Sequence, residues 1–232
     1  MDWEWTGDIV LDEIKGRLVV SCQALPDEPL HSAFIMGRMA LAAKEGGAAA
    51  IRAQSVIDIA EIKRVTGLPV IGLIKRSYAD AAMYITPTRR EVEELLAAPC
   101  EMIALDMTDR PRPEGELAAA LVQRIHEAGR LVLADISTYT EGVAAAELGV
   151  DAVSTTLSGY TPYSPQLEGP DAGLVGKLAE ELTIPVFAEG RIHTPQDIRT
   201  VMAAGAWAPI VGSAITRPQL ITADFARALS GC

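Results

Sequence analysis

The sequence predicts a single α/β domain folded as a (β/α)8, or TIM, barrel, and three observations carry that expectation. Eight short, β-rich apolar runs alternate with Ala- and Leu-rich stretches of helical spacing, the pattern of parallel strands covered by helices. Several of those stretches close on glycine just before the next run, as at Glu45-Gly46-Gly47, Ala128-Gly129, Leu148-Gly149 and Ala204-Gly205, which marks successive repeats of one unit. The length, 232 residues, suits a one-domain barrel of roughly 250 residues. An open doubly wound sheet is the competing arrangement, but Cys22-Gln23-Ala24-Leu25-Pro26 follows the first run where a GxGxxG turn would stand.

Residues 1–15 form an N-terminal extension or helix, ahead of a barrel core spanning 17–217. The first strand is predicted over 17–22, and a helix over 32–44 leads to the second at 48–52. The third, 69–75, is built on Val70-Ile71-Gly72-Leu73-Ile74 and ends on Lys75. The fourth is expected at 101–106. A helix at 116–128 precedes the fifth, at 130–135, and the sixth follows at 151–156. Helices at 172–182 and 195–204 lead into the seventh and eighth strands, at 185–189 and 207–212. A last helix, 219–229, packs on its own barrel or on a partner.

Composition narrows the function classes. Hydrophobic residues make up 49% of the chain, enough for a sizeable core without staples. The three cysteines, Cys22, Cys100 and Cys232, are odd in number and lack a CxxC pair, so neither a disulfide framework nor a zinc site is indicated and a reducing, cytoplasmic setting fits. The start of the chain, 1–8, is acidic and Trp-containing, unlike a secretory signal. No apolar run approaches the ~18 residues of a membrane span. A net charge of −11 argues against nucleic acid or an anionic membrane as partner. A small anion would need a local cluster of Arg, Lys and backbone N–H groups.

Two long irregular stretches, 75–90 and 157–170, follow the third and sixth strands, on the carboxyl-terminal face where barrels place their chemistry. Arg52, Lys75, Asp106, Asp135 and Glu189 all fall at predicted strand ends. One alone would be a solvated end or an ion pair closing the barrel, and for Asp106 that alternative stands equal. Five converging on one mouth point to a site. Gly190, before Arg191, follows the seventh strand, and Gly212, before Ser213, ends the eighth. Glycines there let backbone N–H groups approach a phosphate closely. Arg191 and Arg217 either add charge or pair with an acid. Lys75, when neutral, is a general base or a Schiff-base nucleophile. Arg52 would lower its pKa and Glu189 would raise it, so the net direction stays open, as does a salt-bridged lysine. His31, His126 and His193 lack ligand spacing, so no metal site is expected.

The ordered motifs Ser21-Cys22-Gln23-Ala24, Ala50-Ile51-Arg52-Ala53, Gly72-Leu73-Ile74-Lys75-Arg76, Tyr84-Ile85-Thr86-Pro87, Ala134-Asp135-Ile136-Ser137, Ala188-Glu189-Gly190-Arg191 and Val211-Gly212-Ser213 through Arg217-Pro218 resemble the N-acetylmannosamine-6-phosphate 2-epimerase family from about Gly16 to Pro218. The chain departs from the family pattern at Ser77, where an acid often stands, at Pro99-Cys100 and in the extra residues 1–8. The resemblance implies a cofactor-free inversion at C2 of a small-molecule sugar phosphate, with Lys75 as acid/base and Glu189 as its partner. It implies further that Gln23, Arg52 and Asp135 contact or orient the sugar. Gly190, Arg191, Gly212 and Ser213 would form the phosphate site, closed by Arg217, in a homodimer. Tyr84 and Tyr160 either cover the sugar or pack beneath a loop. A Schiff-base sugar-phosphate aldolase using the same lysine, and a barrel that binds sugar phosphates without turnover, are the alternatives.

Overall fold

In a computed structural model, which describes residues 7–229, eight parallel strands close into one barrel. They are β1 (Val19–Cys22), β2 (Ala50–Gln54), β3 (Val70–Leu73), β4 (Met102–Asp106), β5 (Leu131–Asp135), β6 (Ala152–Ser154), β7 (Val186–Glu189) and β8 (Ala208–Val211). Each pairs with its neighbour in sequence, and β8 returns to β1 through Val19 opposite Ile210 and Val20 opposite Val211. The expected fold is the observed one. Residues 1–6 of the expected extension and Cys232 lie outside the described residues; Cys22 and Cys100 are free, buried thiols.

Side chains alternate along a strand, so each strand serves two cores. Val19, Ala50, Ile71, Leu73, Met102, Ala104, Leu133, Ala152, Phe187, Ala208 and Ile210 pack together inside the barrel. Their neighbours Val20, Ile51, Val70, Ile103, Leu105, Val132, Val153, Val186 and Val211 pack outward under the helices. The amino-terminal end is plugged by helix α1 (Gly7–Ile14), whose Val10, Leu11 and Ile14 join the inner cluster. The indole N–H of Trp207 donates to the Leu11 carbonyl at 2.9 Å and holds that plug.

The covering helices are α2 (Ala33–Glu45), α3 (Val56–Thr66), α4 (Arg89–Leu96), α5 (Ala118–Glu127), α6 (Tyr139–Glu147), α7 (Ala172–Glu181) and α8 (Pro195–Ala203), followed by the short α9 (Ser213–Thr216) and the terminal α10 (Pro218–Leu229). Reciprocal capping boxes start three of them, at Thr88 with Glu91, Thr138 with Glu141, and Thr194 with Asp197. Each satisfies N–H groups that a helix start leaves without partners. Several expected boundaries shift. β2 runs two residues past Arg52, and β3 stops two residues before Lys75, so neither residue is a strand terminus. β6 ends at Ser154 and continues as a tight turn, Thr155–Leu157.

Candidate active site

The alternation that fills the barrel with apolar side chains turns polar at the carboxyl-terminal end. Two residues beyond Val19, Ala50, Ala104, Leu133, Ala152 and Phe187 come Ser21, Arg52, Asp106, Asp135, Ser154 and Glu189. One step further in the same register are Gln23, Thr156 and Lys75. Arg52 is therefore an interior residue, 2% exposed. Its Nη2 donates to Asp135 Oδ2 at 2.5 Å and its Nη1 to Glu189 Oε1 at 3.0 Å. One guanidinium thus joins β2, β5 and β7 across the barrel. The third guanidinium nitrogen, Nε, is buried with no protein acceptor. Burial drives the Asp135 carboxyl up to about 7, with Glu189 pushing the same way and Arg52 against.

Gln23, Arg52, Lys75, Glu189, Gly190, Arg191, Gly212, Ser213 and Arg217 line a single cavity of roughly 250 Å³, together with Tyr84, Thr156 and Tyr160. Asp135 does not line it: at 0% exposure it lies beneath Arg52 and acts on the cavity through that side chain. Asp106 is also withdrawn, its Oδ2 accepting from Arg110 Nη2 at 2.6 Å and its Oδ1 from the Thr108 hydroxyl at 2.7 Å. The ion-pair alternative is the one the fold adopts for Asp106.

Lys75 is held by a small hairpin. It bridges Ile85 in antiparallel register, and the flanking bonds run from Arg76 N to Tyr84 O at 3.0 Å and from Thr86 N to Ile74 O at 2.8 Å. Tyr84 therefore faces the cavity from the strand opposite. Burial lowers the Lys75 pKa to about 8; Arg52 and Arg217 push it the same way, while Glu189 and Glu28 oppose them. The direction left open by sequence is settled by desolvation, and an appreciable fraction of the lysine is neutral near neutral pH. Arg217 is itself fixed by Glu28, Nη2 to Oε2 at 3.0 Å, which ties the loop after β1 to the start of α10.

At the other end of the cavity Gly190 has φ +103° and Arg191 φ +53°, a backbone turn that only glycine adopts freely at the first position. Gly212 precedes α9, whose first N–H groups lack intrahelical acceptors as at any helix start. The Arg191 side chain lines the cavity and pairs with no acid among the described residues. Its Nη1 donates to the Ser158 carbonyl at 2.6 Å and its Nε to the Gly169 carbonyl at 2.9 Å, with Tyr160 nearby. It cinches the loop after β6. Gly159 is fitted to this clasp, since a Cβ there would fall 1.9 Å from Arg191 Nη1.

Thr156 and Ser21 line the cavity but were given no chemical role from the sequence. The period-two register was the available signal, because Thr156 and Ser21 continue interior rows that begin at Ala152 and Val19. Among the described residues no group of three His, Cys, Asp or Glu side chains is arranged to hold a metal ion, and no helix is long and apolar enough to cross a membrane.

A closed barrel with a polar layer and a lysine-lined cavity at the carboxyl-terminal mouth defines the class: a (β/α)8 barrel with the layout of a small-ligand enzyme. Within that class, the family model described as "NanE: Putative N-acetylmannosamine-6-phosphate epimerase" matches residues 36–231, and the chain belongs to that family. A relative from Clostridioides difficile named "Putative N-acetylmannosamine-6-phosphate 2-epimerase" is 62% identical over 220 residues, covering 95% of this chain and 99% of its own. The solved structure of the N-acetylmannosamine-6-phosphate 2-epimerase from Clostridium perfringens superposes with a TM-score of 0.93 at 60% identity, covering 94% of this chain and 95% of that one. A thiamine phosphate pyrophosphorylase from Pyrococcus furiosus, at 20% identity and a TM-score of 0.60, shares the fold alone.

Proposed function

We propose that this chain is a 2-epimerase that interconverts N-acetylmannosamine 6-phosphate and N-acetylglucosamine 6-phosphate, in the breakdown of sialic acid and amino sugars. The observation that carries the reading is the placement of Lys75, depressed to about 8, and Glu189 on one cavity wall system that also holds Gly190 and Gly212. In the open-chain sugar the C2 hydrogen lies beside the C1 aldehyde. Neutral Lys75 removes it, leaving an enolate whose charge needs polar partners, and the proton returns to the opposite face. Glu189 is the partner acid/base, held in place by Arg52. Gln23 and Arg52 contact the sugar, and Asp135 orients Arg52 from below. The backbones of Gly190, Arg191, Gly212 and Ser213 take the phosphate, and Arg217 closes over it. Proton transfer of this kind calls for no cofactor.

The same reading makes the protein a cytoplasmic homodimer. Two buried free thiols support the compartment, and α10, with Phe225 and Leu229 exposed on it, supports a partner surface that light scattering would reveal. The activity is tested with N-acetylmannosamine 6-phosphate in deuterated water. Deuterium must appear at C2 of the product; product without solvent label sinks proton transfer. Borohydride must trap no lysine adduct, since a trapped adduct would instead identify a Schiff-base enzyme.

A further inference from the structure

The hydroxyl of Thr156 stands between two carboxylates that share a single guanidinium. Its Oγ1 lies 2.6 Å from Asp135 Oδ1, 2.9 Å from Glu189 Oε2 and 2.8 Å from Ser154 Oγ. A hydroxyl has one proton to give and two lone pairs to offer. It donates to one carboxylate; the contact with the other is a hydrogen bond only if that carboxyl group brings a proton of its own. Arg52, 2% exposed, is the cation in hydrogen-bond contact with both carboxylates; Asp135 is fully buried while Glu189 faces the cavity with Lys75.

The surroundings make this a fixed arrangement. The Thr155 hydroxyl donates to the Glu189 carbonyl at 3.0 Å and the Glu189 N–H lies 3.2 Å from the same oxygen, so the turn after β6 is locked to the end of β7. The other charged and titratable groups facing the cluster are Arg52 from β2, Lys75 and Tyr84 from the hairpin after β3, and Asp106 from β4.

We propose that Thr156 is a positioning residue that relays a proton between Asp135 and Glu189, so that a buried acid resupplies Glu189 as it gives its proton to the sugar. The proposal rests on the epimerase reading of Glu189. In the step, the Asp135 O–H bond breaks as its proton goes to Thr156 Oγ1, and the Thr156 O–H bond breaks as its proton goes to Glu189 Oε2. Asp135 ends as carboxylate, Glu189 as carboxylic acid and Thr156 as an unchanged hydroxyl. No electrons are gained or lost. The turnover closes when Lys75 releases to the cavity the proton it took from C2 and Glu189, which lines the same cavity, takes one up. The same two transfers run backwards then return it to Asp135. The proton is available near neutrality because burial raises the Asp135 pKa, with Glu189 and Asp106 adding to it and Arg52 and Thr156 opposing.

The test compares the wild type with Thr156→Val, which keeps the shape and removes the hydroxyl, and Thr156→Ser, which keeps the hydroxyl. Two readouts are taken: the pH profile of N-acetylmannosamine 6-phosphate turnover, and a carbon-13 titration of the Asp135 carboxyl that needs no turnover. The relay requires kcat of the valine variant to fall about 100-fold with little change in KM. The serine variant must recover most of that loss. The Asp135 titration must move to higher pH in the valine variant, since a donor to the carboxylate is gone. An unshifted Asp135 titration, or a valine variant with wild-type kcat, overturns the relay. So does a serine variant that fails as badly as valine with a wild-type pH profile, because the role is then structural. A wild type without turnover refutes the parent reading, and with it the relay as a catalytic step, while the Asp135 titration still reports whether the shared proton exists.

Discussion

Replacing Lys75 with methionine should remove turnover and at the same time stabilise the fold. The lysine drops from 10.5 unfolded to about 8 in the native state, chiefly through burial. That gap of about 2.5 units corresponds to about 3 kcal/mol of native-state cost for keeping the ammonium charged, and solvent at the cavity mouth trims it to about 2 kcal/mol. The sign follows from proton counting. Between the two pKa values the unfolded chain binds more protons than the folded one, so wild-type stability rises with pH through that window. Below about 8 the cost is fully present in the wild type and absent from the methionine variant. Urea unfolding should therefore find Lys75→Met more stable by about 2 kcal/mol at neutral pH, with the difference shrinking as pH rises above about 8 and vanishing only beyond 10.5, where the lysine is neutral in the unfolded chain as well. A difference that ignores pH, or a variant less stable at neutrality, would refute the claim that the lysine is held against its charge.

Three further outcomes follow from the same geometry. Glu28→Gln removes an anion that supports the charged form of Lys75, so the rise of kcat/KM with pH, centred near about 8 in the wild type, should move to lower pH; an unmoved profile would contradict it. Gly159→Ala places a methyl group against Arg191 at φ +80°, and should raise KM for the sugar phosphate while lowering stability by about 1–3 kcal/mol. Wild-type KM and melting temperature together would show that the clasp is dispensable. Asp135→Ala strips a buried partner from Arg52 and should cost about 3–5 kcal/mol in urea unfolding at neutral pH; a loss well under 1 kcal/mol would place the pair in solvent, where exposed ion pairs are worth about that little.

How far the sequence shows this arrangement depends on whether each signal is local. The barrel is legible because apolar runs such as Val70 to Leu73 recur eight times, with several of the intervening helices closed on glycine, and each repeat is a local event. Lys75 and Glu189 stand out because a charge breaks an apolar run. Arg52 looked like such a break too, yet β2 continues past it to Gln54. What keeps it inside is Asp135, 83 residues away, and a partner across a barrel leaves no mark in the local pattern. Thr156 and Ser21 were given no chemical role for the opposite reason. Threonine and serine are ordinary at a strand end, and only the closed register reveals that they face inward. The guanidinium of Arg191 is a similar case: its acceptors are main-chain carbonyls, which no sequence distinguishes from any others.

The helix α1 that plugs the amino-terminal end, with Val10, Leu11 and Ile14 seated among the interior side chains, makes the barrel a vessel closed at its base. The cavity lies at the opposite end, lined by Tyr84 and Tyr160 among others. A sugar that enters there leaves the same way, and two epimers that differ at a single carbon present nearly the same outline to it. Each therefore obstructs the other, and throughput in either direction depends on how promptly the last occupant vacates. A reversible reaction run in such a vessel has its balance set by the concentrations outside the door.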